Sequence, residues 1–393
     1  MRLFVLLLGL LTLPLHAQDS SLSGQATLEW RYFPSAGLDP RQFRGASTSL
    51  ILQPEFYRSW NDGRDSLLLV PYLQADARDS GRNRLDIREL TWIHVGENWE
   101  LRTGLRQEYW GVTEFQHLVD VINQFDSAVD IDNEDKLGQP MVNLSLVRDW
   151  GILDYYLLPR FRPRTWPGVR GRLRPPLPVD PQPRYRPGAG ETKLSHALRY
   201  THTLGPVDLG LAWFRGTNRE PLLELSADGQ RLVAHYERME QFSVDAQATL
   251  GDWLWKLEAY HRQASAEDYA AIQFGFEYTR YGLFDTAADL GLLLEYGWNS
   301  SETISYNLFQ NDLFAGFRLA LNDTQGSELL AGFSQDLDGG GHTLLVEASR
   351  RLGNDWKASL TARAFQASRP SDPLYYFRKE NLVEFTLTYY WAQ

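Results

Sequence analysis

The chain has 393 residues and no cysteine, so neither a disulfide framework nor a thiolate metal site can hold it together. Its net charge of −11 argues against nucleic-acid partners. Aromatics make up 13% of the residues, yet beyond the amino terminus no segment approaches the roughly 18 to 20 apolar residues of a spanning helix, which excludes a helical membrane protein.

From the amino terminus, Met1-Arg2 gives a short positive start and residues 3–13 an almost unbroken apolar run. Leu15-His16-Ala17 then sets a small residue before the polar Gln18. This is the pattern of a secretory signal peptide over 1–17, too short to cross a bilayer as a helix. The mature chain, 18–393, is therefore expected outside the inner membrane.

Strand patterns follow at once. One parity reads Trp99, Leu101, Thr103, Leu105 and the other Glu100, Arg102, Gly104, Arg106. Later, Val383, Phe385, Leu387, Tyr389 and Trp391 interleave with Glu384, Thr386, Thr388 and Tyr390. Period two gives each strand one apolar and one polar face. Candidates fall at 22–33, 46–58, 65–77, 83–95, 98–110, 139–149, 151–159, 192–204 and 206–215. The second half adds 237–250, 252–263, 268–280, 288–298, 308–320, 327–337, 342–352, 355–366 and 380–391.

Three features make these one closed antiparallel transmembrane β-barrel of 16 to 18 strands. Most strands run roughly 10 to 13 residues, where soluble strands average about 5 to 6 and a tilted spanning strand needs about 9 to 11. Trp and Tyr gather at strand ends, where membrane–water interfaces lie. Links after even-numbered strands are short and the longest follow odd-numbered ones, as in bacterial barrels with short periplasmic turns and long outer loops. Pro54 and Pro71 interrupt strands 2 and 3, where bulges or shifted boundaries are expected, and Asp86 to His94 loses strict alternation, Leu90 and Trp92 sharing the parity of Asp86 and Arg88.

The stretch Tyr109-Trp110-Gly111-Val112-Thr113-Glu114, continuing through His117-Leu118-Val119-Asp120 and Ile122-Asn123-Gln124 to Lys136-Leu137-Gly138-Gln139-Pro140, is similar to a family of functionally uncharacterised outer-membrane proteins, loosely related to porins and alginate-export-like channels. The whole mature chain resembles a porin-type barrel of the Gram-negative outer membrane. The resemblance implies a channel, with outer-membrane lipid, lipopolysaccharide and the barrel assembly machinery as partners. It implies no catalytic residue.

Two loops carry the chemistry. The first, 111–138, is acidic, and its Asp130, Asp132, Glu134 and Asp135 set hard oxygen ligands at short spacing, as a Ca²⁺ site would, though the glycine and distal glutamate of a complete calcium loop are missing. Phe115, Leu118, Val119 and Ile122 recur at helical spacing, which fits a short helix over 114–125. The second, 160–191, carries Arg160, Arg162, Arg164, Arg170, Arg172, Arg174, Arg184 and Arg186 among eight prolines that, with Pro159 just before them, hold it extended. Guanidinium groups bind carboxylates and phosphates. This loop, with Arg102 and Arg106 on the polar strand face, is expected to attract anions at a constriction; contact with lipopolysaccharide, or pairing with the acidic loop, are its other readings. The histidines are scattered and neither GxSxG nor His-x-Ser occurs, so an outer-membrane lipid hydrolase is disfavoured. The function expected is passive diffusion of small polar, including anionic, solutes without a cofactor; the alternative is a barrel plugged by its own loops.

Overall fold

The structure, a computed structural model, describes residues 20–301 and 308–392; the expected signal peptide lies outside them. In chain order the strands are β1 (Ser20–Phe33), β2 (Gly45–Trp60), β3 (Asp65–Asp76), β4 (Arg84–Val95), β5 (Trp99–Arg106), β6 (Gln139–Arg148) and β7 (Gly151–Leu158). Next come β8 (Arg184–Tyr185), β9 (Ser195–Leu204), β10 (Val207–Thr217), β11 (Leu222–Leu225), β12 (Leu232–Tyr236), β13 (Arg238–Leu250) and β14 (Trp253–Ala264). The last are β15 (Asp268–Arg280), β16 (Asp289–Asn299), β17 (Asn311–Ala320), β18 (Glu328–Asp336), β19 (His342–Leu352), β20 (Trp356–Gln366) and β21 (Leu382–Ala392). All but β8, β11 and β12 join one 18-stranded antiparallel sheet, which closes where β1 pairs with β21. Each of the eighteen sequence candidates is one of these strands.

Burial runs opposite to that of a soluble protein. Leu28 and Leu50 are 50% and 59% exposed, while Glu29 and Ser49 are 4% and 1% exposed. Apolar side chains therefore face outward, to lipid, and polar ones inward, which is the porin-like arrangement. Exposed rings stack near the ends of the strands: Trp30 on Tyr32 at the long-loop end, and Trp253 on Trp255 and Trp150 on Tyr200 at the short-turn end. At the closing seam Trp391 lies opposite Gly24, where an added Cβ would come within 2.5 Å of its ring.

The irregularity at β3–β4 is a bulge. Val70 pairs with Glu89 but Pro71 with Ile87, leaving Arg88 as the extra residue. Arg88 and Glu89 both turn inward, and alternation resumes with Leu90 and Trp92 outward. Opposite Pro71, the β2–β3 ladder pauses around Pro54 between Leu52↔Leu73 and Phe56↔Leu69.

Short turns at 96–98, 149–150, 205–206, 251–252 and 353–355 mark one end, Gly251 and Gly353 supplying the positive φ that such tight turns need. The long loops 34–44, 107–138, 159–194, 218–237 and 367–381 gather at the other. There β8, β11 and β12 form a small three-stranded sheet from the two loops 159–194 and 218–237, packed on Phe161, Val179, Ala234 and Tyr236.

Candidate functional site: a lumen narrowed by an in-folded loop

The loop 107–138 crosses the inside of the barrel. Trp110, Val119, Val121 and Ile122 pack with Tyr156, Phe214 and Met239 on one wall, and Ile131 packs in the cluster of Phe33, Phe365 and Leu382 on another. Two wall carboxylates clamp its start. Glu258 on β14 accepts from the backbone N–H of Val112 (2.6 Å), Thr113 (2.9 Å) and Val119 (3.1 Å), and from the Thr113 hydroxyl (2.6 Å). Glu295 on β16 accepts from the N–H of Glu114 (2.8 Å) and Phe115 (3.1 Å) and from Gln273 (2.8 Å). Neither carboxylate touches a cation, so several charge-assisted hydrogen bonds compensate its burial. Of these amides a helix over 114–125 would bond only that of Val119 to its own carbonyls, and Glu258 takes it; the expected helix does not form.

The acidic side chains of this loop meet basic groups of the barrel wall. Glu114 lies between Arg318, to which it is ion-paired, and Lys256 at 3.5 Å. Asp126 pairs with Arg84 (2.6 Å) and Arg88 (2.7 Å). Arg363 holds Asp130 (2.5 Å) and Asp132 (2.6 Å), Arg31 stands 3.6 Å from Asp130, and His117 lies 3.1 Å from Glu134. Asp120 pairs with Lys136 of the same loop, whose ammonium sits 3.7 Å above the Tyr109 ring.

Of the four carboxylates considered for Ca²⁺, Asp130 and Asp132 share Arg363 and Glu134 is drawn to His117, and no group of three His, Asp or Glu side chains able to hold a metal occurs among the described residues. Burial, then the charge on Asp130, raises Asp132 to about 6 against the pull of Arg363. Burial, with Asp132 and Asp130, raises Asp135 to about 7.

The arginine loop is settled differently. Arg172 and Arg174 are buried at the long-loop end. Arg172 pairs with Glu380 (2.9 Å) and donates to the carbonyls of Ser35, Phe43 and Lys379; Arg174 pairs with Asp39 (2.9 Å) and donates to Val169, Pro175 and Pro176. Arg162 forks onto Asp86 (2.9 and 3.0 Å), Arg186 meets Glu224 (2.9 Å), and Arg160 meets Glu191 at 3.5 Å. Arg164 bonds Gln124 (3.3 Å), while Arg170 and Arg184 are exposed. On the wall, Arg102 pairs with Glu100 and Arg106 with Glu108 (2.8 Å), and both reach Asn143. The ten arginines therefore do not converge into one ring. Nor do the two loops neutralise one another: the acids of the first pair with the wall and with Lys136, and the arginines of the second with carboxylates elsewhere.

Two spaces remain. A cavity of about 460 Å³ lies between the loop and the β16–β20 wall. Its lining carboxylates are Glu114, Asp120, Asp132, Glu134, Glu220, Glu295 and Glu347, against Arg164, Arg363 and His117. Phe115 stacks on Phe314 (centroids 3.5 Å apart), with Phe309 edge-on to both. An open space of about 520 Å³ at the short-turn end is lined by Val112, Arg148, Arg199, Asp208, Asp245 and Gln247 among others. The segment 112–114 borders both, Val112 on one side and Glu114 on the other. In the sequence Glu258 and Glu295 stand on the polar parity of their strands, but nothing there shows their role as clamps, because strand alternation reports a facing direction and not a partner. Phe314 had a readable signal, an aromatic on the polar parity beside outward Leu313.

No protein-family model matches the chain, and no curated protein matches it. Among solved structures, OccK2 (OpdF) of Pseudomonas aeruginosa in complex with glucuronate aligns at a TM-score of 0.56 and 13% identity, over 95% of both chains. OpdK of the same organism with vanillate gives 0.55 and 12%, over 96% of this chain and 99% of that one. OccAB2 of Acinetobacter baumannii gives 0.54 and 10%, over 95% and 98%. At such identities the likeness is one of fold. The chain is an 18-stranded antiparallel barrel with the fold of these outer-membrane porins.

Proposed function

We propose that the chain is a diffusion channel of the outer membrane, passing small polar organic solutes through a lumen narrowed at Val112–Glu114. The observation that carries this reading is the pair of spaces on either side of one clamped loop segment, inside a closed barrel with polar inward faces. Fixed side chains at such a narrowing act on whatever passes at close quarters. The fold-mates holding glucuronate and vanillate support small organic solutes as the class. Transport is the activity this reading assigns, and His196, bonding the Tyr155 hydroxyl (2.7 Å), and His202, stacked on Tyr200, fit it as interfacial residues. Exposed Arg170 and Arg184 at the long-loop end are suited to lipopolysaccharide phosphates. Single-channel recording of refolded, heat-modifiable protein in a planar bilayer tests the reading: open steps are expected, and a silent folded barrel would leave a plugged one.

A further inference from the structure

Resting on that reading, we propose that the 460 Å³ cavity selects small organic cations with an apolar or aromatic body, such as an arylalkylammonium, over carboxylates. Two independent features meet there. The first is an aromatic wall that faces the cavity. Phe115 and Phe314 are stacked at 26°, Phe309 closes on them edge-first with centroids 4.9 and 5.6 Å away, and Leu118 and Tyr260 continue the lining. Such a surface takes an apolar body, and its ring faces attract a cation.

The second feature is which charges stay accessible. Both lining arginines have partners: Arg363 holds Asp130 and Asp132, and Arg164 bonds Gln124 and lies over Phe125. Carboxylates are in excess and remain open to solvent. Among the described residues Glu347 reaches the already occupied Arg363 at 3.8 Å and keeps 42% of its side chain exposed; Glu220, paired with buried Arg262 at 3.1 Å, and Glu134, 3.1 Å from His117, keep 35% and 56% exposed, with an oxygen each to offer. An anion entering this space meets carboxylate oxygens first and must displace existing ion pairs to reach a guanidinium. An ammonium group meets ready acceptors, with the rings alongside for its body. The volume falls within the roughly 300 to 1,000 Å³ usual for small-molecule sites. The charge preference is thus opposite to that suggested by glucuronate and vanillate, the carboxylates named with two fold-mates.

The experiment is a planar-bilayer recording of the full chain under a KCl gradient, followed by titration with phenethylammonium chloride or sodium phenylacetate from the long-loop side. The proposal expects a reversal potential on the K⁺ side and current block by phenethylammonium at about a tenfold lower concentration than by phenylacetate, a ratio that one favourable ionic contact supplies. The pair Glu220→Gln and Glu347→Gln should erase most of that ratio, and Phe309→Ala should weaken phenethylammonium block while leaving the reversal potential in place. Chloride selectivity, or tighter block by phenylacetate, would overturn it. If the folded barrel shows no open steps, the channel reading fails separately; saturable quenching of tryptophan fluorescence by phenethylammonium but not phenylacetate in detergent would still support the site, and equal responses would overturn it.

Discussion

The two long loops are both charged, in opposite senses, and the structure treats them differently. The acidic loop 107–138 lies inside the barrel with its carboxylates on Arg31, Arg84, Arg88, Arg318 and Arg363 of the wall or its flanks. The proline-rich loop 159–194 stays at the long-loop end, where Arg172 and Arg174 pair with Glu380 and Asp39 of neighbouring loops. The loops do touch, Thr165 bonding Asp126 and Arg164 bonding Gln124, but their opposite charges are not paired with each other. Wall side chains on paired strands are already ordered, so a loop that docks on them gives up only its own conformational freedom, whereas two loops pairing in solvent both give it up.

The largest effects should come from breaking the acidic loop's clamps. Glu258→Ala leaves the buried N–H groups of Val112, Thr113 and Val119 without an acceptor, at about 1 to 3 kcal/mol for each group left unsatisfied. The loop is expected to swing from the wall and the single-channel conductance to rise several-fold; an unchanged step size would show that the clamp does not set the narrowing. Next in size, Glu380→Ala leaves Arg172 buried without its carboxylate, at a cost of about 3 to 5 kcal/mol. Limited proteolysis should then cut within 160–191 while conductance changes little. Equal change in conductance from both variants would erase the contrast between the loops.

A smaller effect follows from pH. Asp135 and Asp132 lose their charge as pH falls through about 7 and then about 6. Both values lie above the ordinary carboxylate value of 3.8, so the stability these groups contribute is full at low pH and is lost as pH rises from there through about 6 and about 7. The loop should therefore resist proteolysis at least as well at pH 5.5 as at pH 8 as far as these groups decide, while cation preference declines. A reversal potential that stays flat over that range would contradict this. The smallest effect is expected from Arg170→Ser and Arg184→Ser: exposed at the long-loop end, they should leave conductance unchanged and weaken only retention of lipopolysaccharide, measured by co-purification.

The eighteen strands were legible because alternation, strand length and link length all report the same geometry. Even the misfit at Asp86–His94 was informative, since the bulge at Arg88 restores the outward face. The sheet of β8, β11 and β12 was not legible: its strands are 2, 4 and 5 residues long and pair only once two loops have met. The segment 114–125 is held on a non-helical path against Glu258 and Glu295, which lie more than a hundred residues away in sequence, so its helical spacing could not report the outcome. Arg172 and Arg174 looked like pore charges because sequence shows their sign but not Glu380 and Asp39 beside them.

The central claim is that this barrel conducts through a lumen narrowed by the loop 107–138. Single-channel conductance of the full chain, set beside a variant in which residues 112–134 are replaced by a short Gly/Ser linker, tests it most directly. Small, discrete steps from the native chain and several-fold larger ones from the shortened chain, both heat-modifiable, are the result expected. Silence from both folded proteins, or identical steps, would contradict it.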